Sequence, residues 1–473
     1  MLGLKFTFED QVAFAALSGD HNPIHVDPVL ARRLMFGHPV VHGVHTLLGA
    51  LDNCLKQFVE PLELATLKAD FRTPVRVEEE VQLLCNCDDR ENLAVTLVTK
   101  EGNSELIRAS LVSSGNSRSM GNLKLECPQE RHCRLLSDKE IPYASGKLEL
   151  YLDMKMSNKL FPNLIRLLPP TQIAALLATT RLVGMQCPGL HSIFSGLDLQ
   201  FGEAGGDPLG LAYQVSKFDT RFSSICMNVQ APRMKGTIRA FVRPAPKEQS
   251  RFRDLRGQVD GGEFAGQQAL VIGGSRGLGE ATTKLLAAGG AKVRFSYYAG
   301  SEDAHQLVEE ITSGGGYAAA FRFDVLGEPG QLVNGLGDHW GPTHLYYFAT
   351  PFISVATRGH FSSELFRQFC DYYVGGFLKT VQTIRNMTNG LNKIFYPSSI
   401  FVEELPLNMG EYAAAKTAGE ILCTFLEKAY VGLKIHKPRL PKAATDQTVS
   451  LLPGQVHDPI PLLLEHLRYL RDA

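Results

Sequence analysis

The chain has 473 residues, which exceeds one ordinary hydrophobic core and predicts about two to four domains. Hydrophobic residues make up 44% and charged residues 21%, and a net charge of −1 argues against nucleic-acid and anionic-membrane partners. No apolar run approaches the ~18 residues that span a bilayer. MLGLKFTFEDQ at the N-terminus lacks the features of a signal peptide. Nine scattered cysteines indicate reduced thiols and predict a cytoplasmic protein.

Two polar stretches rich in Gly, Pro, Ser and charge predict linkers, at 114–146 and 244–266. The segment before the first linker has two helical patterns, EDQVAFAALSG and HGVHTLLGALDNCL, and four alternating runs that are typical of strands. The middle segment repeats this arrangement loosely, with one helix and several strands. Each of these two segments is therefore expected to wrap an antiparallel sheet around one helix.

The third segment alternates strands and helices from ALVIGG to NKIFYPSS, the pattern of a parallel doubly wound sheet. The last residues, PIPLLLEHLRYLRDA, predict a short amphipathic helix. The expected fold class is α+β for the first two segments and α/β for the third. The predicted domains are 1–118, 140–245 and 264–445, with a C-terminal tail at 446–473.

The stretch SGDHNPIHVD crowds titratable groups into ten residues after the first helix. Asp20 and His25 can be aimed at one point by a tight turn, because Pro23 restricts Asn22 to extended geometry and Asn22 can hold the turn. Such a pair suits proton transfer between water and carbon. The alternative is a capped helix end, in which Asp20 or Asn22 satisfies backbone donors, and the spacing alone favours that alternative.

This stretch, followed by VVHGVHTLLGAL and ADFRTPVRVEEEV, resembles the MaoC-like family of (R)-specific enoyl-thioester hydratases. The resemblance implies a hot-dog fold, in which a curved antiparallel sheet wraps one long helix. It implies that Asp20 and His25 handle the reacting water and that the Gly43 backbone N–H stabilises the thioester oxyanion. Asn22 would orient this pair and so position the substrate. No metal is expected, and the histidines without an assigned role are His21, His38, His42 and His45.

A second motif, VIGGSRGLGE, follows a predicted strand and opens a helix, where glycines let the backbone pack against a pyrophosphate. An acidic residue that would bind a ribose 2′-hydroxyl is missing after the next strand, where Tyr297 and Tyr298 stand. With Arg276 in the loop, this favours a 2′-phosphate and predicts NADPH. The predicted cofactor-binding residues here are Gly273, Ser275, Arg276, Gly277, Leu278, Gly279 and Tyr297.

EYAAAKTAGE places Tyr412 and Lys416 on one helix face, where an ammonium helps a phenol to donate a proton, although a surface pair would look the same. With the glycine loop and YPSSI, the segment is similar to short-chain dehydrogenases/reductases, especially ketoacyl-thioester reductases. The resemblance implies that Tyr412 and Lys416 are catalytic and also contact the cofactor. It assigns carbonyl binding to Ser399, with Ser398 positioning substrate beside it, and an adenine contact to Asp324.

Two features depart from that reductase family. YYFATP replaces the family's NNAG, and Tyr372 aligns with the helix asparagine that completes the family's proton relay. A slow or inactive reductase is therefore an alternative, although the Ser–Tyr–Lys set is intact.

The middle segment resembles, more faintly, a degenerate second hot-dog domain that would cover the active face of the first and help to line an acyl tunnel. Cys187 and His191 could suggest a nucleophile and its base. Pro188 and Gly189 break the helix between them, so a shared face and a catalytic role are not expected.

These interpretations together predict a bifunctional enzyme for acyl-CoA or acyl carrier protein thioesters. The C-terminal domain would reduce a 3-oxoacyl thioester with NADPH, and the N-terminal domain would dehydrate the (R)-3-hydroxyacyl product or hydrate the enoyl thioester. One alternative keeps the hydratase with a non-catalytic nucleotide-binding scaffold, and another is an acyl-thioester-binding module without chemistry. Both families commonly oligomerise, so a homo-oligomer is expected.

Overall fold

A computed structural model gives the three-dimensional structure of the chain, and its described residues fall into two compact units. The first unit consists mainly of residues 1–245 and the second mainly of 246–449 and 453–473. The described residues are 2–88, 92–99, 102–114, 123–124, 131–202, 210–337, 340–353, 359–451 and 454–472.

The first unit contains a ten-stranded antiparallel sheet with the order β1-β3-β4-β5-β2-β7-β10-β9-β8-β6. Strands β2 and β7 join its two halves, with Thr66 opposite Gln200 and Asp70 opposite Gly196. The strands are β1 (Leu2–Lys5), β2 (Leu62–Phe71), β3 (Glu80–Asp88), β4 (Asn92–Thr99), β5 (Gly102–Ser113), β6 (Ser145–Glu149), β7 (Ser192–Phe201), β8 (Gly210–Asp219), β9 (Ser224–Ala231) and β10 (Met234–Val242).

Each half of this sheet carries one long helix that is buried on nearly every side. The helices of the unit are α1 (Phe8–Ser18), α2 (Pro23–Val26), α3 (Pro28–Ala31), α4 (Gly43–Leu55), α5 (Met154–Leu160), α6 (Pro162–Leu167) and α7 (Pro170–Arg181). Helix α4 packs Leu47, Leu48 and Leu51 into the core with no exposed surface. Truncating any one of them to alanine would cost about 2–5 kcal/mol. Helix α7 continues into a π-helical turn, Leu182–Gln186.

The second unit is built on a six-stranded parallel sheet with the order β13-β12-β11-β14-β15-β17. This is the doubly wound order that places a ligand where the strand order reverses, beside β11 and β14. Its strands are β11 (Gln268–Ile272), β12 (Lys292–Tyr297), β13 (Tyr317–Arg322), β14 (His344–Tyr347), β15 (Lys393–Phe395) and β17 (Lys434–His436), and a separate ladder pairs β16 (Ser398–Ser399) with β18 (Arg439–Leu440).

Helices cover this sheet, and the apolar residues of the predicted linker at 244–266 pack with them. Phe252, Leu255 and Phe264 are buried in this unit, so the linker prediction is wrong there, because the charges around them hid the apolar spacing. The helices are α8 (Phe252–Leu255), α9 (Gly277–Ala288), α10 (Ser301–Ser313), α11 (Gly330–Leu336), α12 (Ser363–Cys370), α13 (Phe377–Met387), α14 (Phe401–Glu404), α15 (Gly410–Ala429) and α16 (Pro459–Asp472). The C-terminal helix was predicted, and it buries Leu463 and Leu467.

Candidate active sites

The loop after α1 holds the first candidate site, and its turns follow from the local sequence. Gly19 ends α1 in the left-handed region with φ 75°, which glycine adopts without steric cost. Asn22 then caps α2 by accepting from the Ile24 backbone N–H, with Pro23 in the first helical turn. The two turns leave Asp20 between α1 and α2 and carry His25 back towards it.

Asp20 is fully buried, and both of its carboxylate oxygens accept hydrogen bonds. The Thr180 hydroxyl donates to Oδ2 over 2.6 Å, and the Asn22 backbone N–H donates to Oδ1 over 3.2 Å. Burial raises the pKa of Asp20, while nearby His25 and the hydrogen bond from Thr180 oppose that rise. A Cβ on Gly184 would lie 2.1 Å from Oδ1, so glycine is required for the carboxylate to keep this position. The middle segment therefore shapes the surroundings of Asp20.

His25 has one ring nitrogen, Nε2, without a hydrogen-bond partner among the residues that the structure describes. Its Nδ1 lies 2.7 Å from the Val40 carbonyl, which can only accept, so Nδ1 carries the proton and Nε2 keeps its lone pair. Burial, followed by the neighbouring His42, lowers the pKa of His25 well below its usual value. The neutral ring stacks on His42 with centroids 3.8 Å apart. Its Nε2 is therefore a candidate general base.

His42 contacts both Asp20 and His25 and helps to hold them in place. Its Nε2 donates to the Asp20 backbone carbonyl over 3.0 Å, and its Nδ1 lies 3.1 Å from Gln11 Oε1. Ligand atoms of Asp20, His25 and His42 lie within 4.8 Å of one another, a spacing that a metal ion could use. The His42 ring nitrogen nearest the Asp20 carboxylate is Nε2, 4.0 Å from Oδ2, so coordination through it would break its hydrogen bond to the Asp20 carbonyl, which disfavours a metal here.

Asp20, His25 and Gly43 line one cavity of about 200 Å³. Gly43 is the first residue of α4, so its N–H has no preceding helical turn to accept it. The positive end of the helix dipole also lies there, which suits an oxyanion. A Cβ on Gly43 would lie 3.1 Å from the Phe71 ring. The absence of a side chain at Gly43 therefore lets the Phe71 ring pack directly against the start of α4.

Asn22 lies outside the lining of this cavity, so any role in positioning substrate is indirect, through the orientation of Asp20 and His25. It is fully buried, and its side-chain amide donates to the carbonyls of Gly184, Gly189 and Leu190 over 3.0–3.3 Å. These carbonyls belong to the middle segment. Asn22 therefore fixes the loop that carries Asp20 and His25 to the second half of the sheet.

The second candidate site begins at the glycine loop after β11. Gly273 and Gly277 have φ of 76° and 56°, and α9 starts at Gly277. A Cβ on Gly279 would lie 2.1 Å from the Gly273 carbonyl, so glycine is required for this close approach. Ser275 is buried, and Arg276 is the N-cap residue. This backbone cradle fits the pyrophosphate of a dinucleotide.

The other predicted cofactor residues lie at the carboxyl ends of neighbouring strands or at the start of α9. Tyr297 is the last residue of β12, and Leu278 is half-buried in the first turn of α9. Asp324 follows β13, and its Oδ1 accepts from the Leu326 backbone N–H over 2.9 Å. Ends of adjacent parallel strands meet at one sheet edge, so these side chains border the cradle.

Tyr412, Lys416 and Ser399 meet beside this edge. Burial raises the pKa of Tyr412 to about 12, and a hydrogen bond with the Ser399 side chain opposes that rise. The Lys416 ammonium donates to the Pro397 carbonyl over 2.7 Å. Burial lowers the pKa of Lys416 to about 7. A proton donor and a cation therefore stand together, as acid catalysis at a carbonyl requires.

Two predictions about this site need correction. Tyr373, rather than Tyr372, stands beside the lysine, with its ring centroid 3.9 Å from Lys416 Nζ. The π-helical turn Asp371–Gly376 shifts the residues that face the site. Ser398 donates to Glu420, whose carboxylate also binds Arg439, so its hydroxyl serves the fold rather than the substrate.

The YYFATP segment supplies Thr350 as a hydrogen-bond partner for Tyr373. Thr350 Oγ1 lies 2.5 Å from the Tyr373 hydroxyl. Sequence reasoning missed Tyr373 and Thr350, although both lie in the two stretches that depart from the family pattern. It also missed Thr180 and Gly184, which belong to no recognisable motif.

Cys187 carries no sign of nucleophile chemistry. It is fully buried, and burial raises the pKa of its thiol to about 11. A thiol so far from ionisation is inert at neutral pH.

Among the described residues, none of the helices is both long enough and apolar enough to cross a bilayer.

Comparisons with known proteins match two stretches of the chain. Residues 2–108 match the family described as MaoC like domain, and residues 267–436 match the family described as short chain dehydrogenase. The first match lies within the first unit and the second within the second unit.

Curated relatives resemble limited stretches of the chain. A Drosophila melanogaster protein named peroxisomal multifunctional enzyme type 2 is 41% identical over 15% of this chain and 12% of that protein. The (R)-specific enoyl-CoA hydratase of Aeromonas caviae is 46% identical over 17% of this chain and 60% of that protein. The 3-oxoacyl-[acyl-carrier-protein] reductase of a Synechocystis strain is 48% identical over 14% of this chain and 28% of that protein. The chain thus spans less than two thirds of each relative's length.

Proposed function

Because the chain carries a MaoC-like domain followed by a short chain dehydrogenase domain, we propose that it is a bifunctional enzyme of acyl thioesters. The second unit reduces a 3-oxoacyl thioester to the (R)-3-hydroxyacyl thioester. The first unit interconverts that product and the trans-2-enoyl thioester. The observation that carries the proposal is the convergence of Asp20, His25 and Gly43 on one cavity, while the Ser–Tyr–Lys set adjoins a dinucleotide cradle in the other unit.

In the hydration direction, water binds between the Asp20 carboxylate and His25 Nε2. His25 takes a water proton as the oxygen bonds to C3 of the enoyl group, and the double-bond electrons move towards the thioester oxygen. The Gly43 N–H at the start of α4 stabilises that oxyanion. C2 then receives a proton from the same pair of residues, which completes the addition of water.

In the reductase unit, a bound nicotinamide would supply the hydride to the substrate carbonyl carbon. The Tyr412 hydroxyl protonates the carbonyl oxygen, and the Ser399 hydroxyl orients that oxygen. The Lys416 ammonium makes the phenol a better acid. NADPH is the proposed cofactor, since Arg276 borders the cradle and Tyr297 occupies the place of a carboxylate that would repel a 2′-phosphate.

We also propose that the two halves of the first unit are two hot-dog domains, at 1–118 and 140–245, each with its own central helix. Thr180 and Gly184 of the second half surround Asp20, which supports a shared site. The second unit, 246–449 and 453–473, holds Phe252 and, from the C-terminal helix, Leu463 in one core. We therefore propose that the reductase domain is wider than the predicted 264–445 and includes the predicted tail at 446–473. The substrate carrier is CoA or acyl carrier protein, and a homo-oligomer and a cytoplasmic location stay predictions.

The direct test follows crotonyl-CoA hydration and NADPH-dependent reduction of acetoacetyl-CoA in the purified protein, in Asp20→Asn and in Tyr412→Phe. We expect each substitution to abolish its own reaction and to leave the other one unchanged. Loss of both reactions in either variant would contradict two independent sites. Undiminished hydration by Asp20→Asn would remove Asp20 from the mechanism, and acyl-CoA binding without either reaction in the wild-type chain would favour an acyl-thioester-binding module instead.

A second candidate function is a nucleotide-binding scaffold in place of the reductase. The observation behind it is Tyr373, whose ring covers Lys416 where the family has an asparagine. NADPH binding that is lost in Gly273→Ala, together with no turnover of any 3-oxoacyl thioester, would support the scaffold.

A further inference from the structure

Glu105 places a carboxyl group on the core face of the sheet in the hydratase cavity. It lies on β5 opposite Phe71 of β2 and Leu97 of β4, and its own strand continues with the buried Ile107. Directly opposed residues project to the same face, so Glu105 and Phe71 both face the first turn of α4. Glu105 is 1% exposed and lines the same cavity as the catalytic pair.

One oxygen of this carboxyl group is engaged and the other is not. Glu105 Oε2 lies 2.5 Å from Thr46 Oγ1, and that hydroxyl lies 2.7 Å from the Gly43 carbonyl. Oε1 is buried and has no hydrogen-bond partner among the residues that the structure describes. The Thr46 hydroxyl has one proton, so it can donate either to Glu105 or to the Gly43 carbonyl, and in the second case a protonated Glu105 donates to Thr46.

Burial raises the pKa of Glu105 to about 8, and the hydrogen bond with Thr46 opposes that rise. The group is therefore a neutral carboxylic acid at neutral pH. A neutral acid both donates and accepts, and one held in an apolar site can serve as a fixed hydrogen-bonding group for a ligand. An apolar side chain would fill this position without leaving a polar atom unpaired.

We propose that Glu105 is a specificity-determining residue of this cavity, whose free Oε1 hydrogen-bonds a polar group, such as a hydroxyl, on the acyl chain of the thioester. The geometry places Glu105 close to the proposed oxyanion site, because its partner Thr46 lies three residues from Gly43, about 4.5 Å along the helix axis. The inference rests on the proposed hydratase function, which places the thioester oxygen at Gly43. Acyl chains with a hydroxyl are then preferred to plain alkyl chains.

The test uses saturated thioesters that cannot react, so recognition is measured without turnover. Calorimetry on the full chain compares butyryl-CoA with 4-hydroxybutyryl-CoA, and pentanoyl-CoA with 5-hydroxypentanoyl-CoA. We expect at least one hydroxylated probe to bind about tenfold more tightly than its plain counterpart. Glu105→Gln keeps a hydrogen-bonding group and should retain most of this preference. Glu105→Met should lose it and bind the plain probes more tightly.

Equal affinity of the wild-type chain for both members of each pair would overturn the inference, whether or not the variants fold. A preference that survives in Glu105→Met would overturn it as well. Crotonyl-CoA hydration is followed in parallel, with Asp20→Asn as the inactive reference. Hydration without a hydroxyl preference refutes only the role of Glu105. A hydroxyl preference without any hydration refutes the proposed function and leaves the recognition role standing.

Discussion

The Thr180 hydroxyl donates to Asp20 Oδ2 over 2.6 Å, although 160 residues separate them in sequence. Thr180 lies on α7, the central helix of the second half of the sheet, and Asp20 lies in the loop after α1. The second half of the sheet therefore supplies a hydrogen bond to the proposed catalytic carboxylate in the first half. Under the proposed arrangement of two hot-dog domains, this hydrogen bond is a physical reason for retaining the second one.

Thr180→Val should weaken hydration while the protein stays folded. Valine keeps the shape but removes a hydrogen bond to the charged form of Asp20, so the pKa of Asp20 should rise further. A hydrogen bond to a charged group contributes about 1.5–3 kcal/mol, so we expect a roughly 10- to 100-fold fall in kcat for crotonyl-CoA. Steady-state rates across a range of pH would measure both effects.

The matched control is Thr179→Val, since the neighbouring hydroxyl donates to the Leu176 carbonyl inside the same helix. Thr179→Val should leave the pH profile of hydration unchanged. Equal losses in the two variants would mean that Thr180 acts only through helix packing.

Gly184→Ala should disable hydration by displacing Asp20. The added Cβ would lie 2.1 Å from Asp20 Oδ1, a distance that forces the carboxylate to move. A displacement of about 1 Å in a catalytic group can cost about 100-fold in rate. Gly3→Ala is the control, because a Cβ there meets nothing within 4 Å. Normal hydration by Gly184→Ala would show that Asp20 can act from another rotamer.

The sequence predicted those parts of the sites that depend on short spacings. Asp20 and His25 lie within one ten-residue stretch, and Tyr412 and Lys416 are four residues apart on a helix, so local geometry brings each pair together. The strand and helix patterns likewise placed most elements of both units. Periodicity and turn chemistry act over such distances.

The remaining parts depend on contacts or distortions that no local pattern encodes. Thr180 reaches Asp20 only because β2 and β7 join the two halves of the sheet. Tyr373 replaces Tyr372 beside Lys416 because a π-helical turn shifts the register of the facing side chains. Short additions such as β1 and α5 were missed, since four to seven residues give too little periodicity.

Asn22→Ala should destabilise the first unit. The three carbonyls that accept from the Asn22 amide would lose their donor inside a buried region, at a cost of about 1–3 kcal/mol. We expect the Tm of this unit to fall by roughly 2–10 °C, as measured by calorimetry. Asn228→Ala, on the exposed face of β9, should leave Tm unchanged. An unchanged Tm in Asn22→Ala would mean that water replaces the amide.

The reductase should lose activity as pH rises through about 7. Burial lowers the pKa of Lys416 to about 7, so its ammonium is charged below that pH and neutral above it. Only the charged form favours proton donation by Tyr412, and the facing Tyr373 ring also favours that form. We expect kcat/KM for acetoacetyl-CoA, measured as initial rates with saturating NADPH, to fall about tenfold per pH unit above this value.

Lys416→Arg tests whether deprotonation of Lys416 causes the loss of activity above pH 7, because arginine stays charged throughout this pH range. The variant should be slower, since a guanidinium does not fit the ammonium's contact with the Pro397 carbonyl, but its rate should no longer fall in that window. Crotonyl-CoA hydration in the same samples provides the internal control, because Lys416 has no part in it. A wild-type rate that stays constant well above pH 7 would show that Lys416 remains protonated there, with the tyrosine rings outweighing the effect of burial.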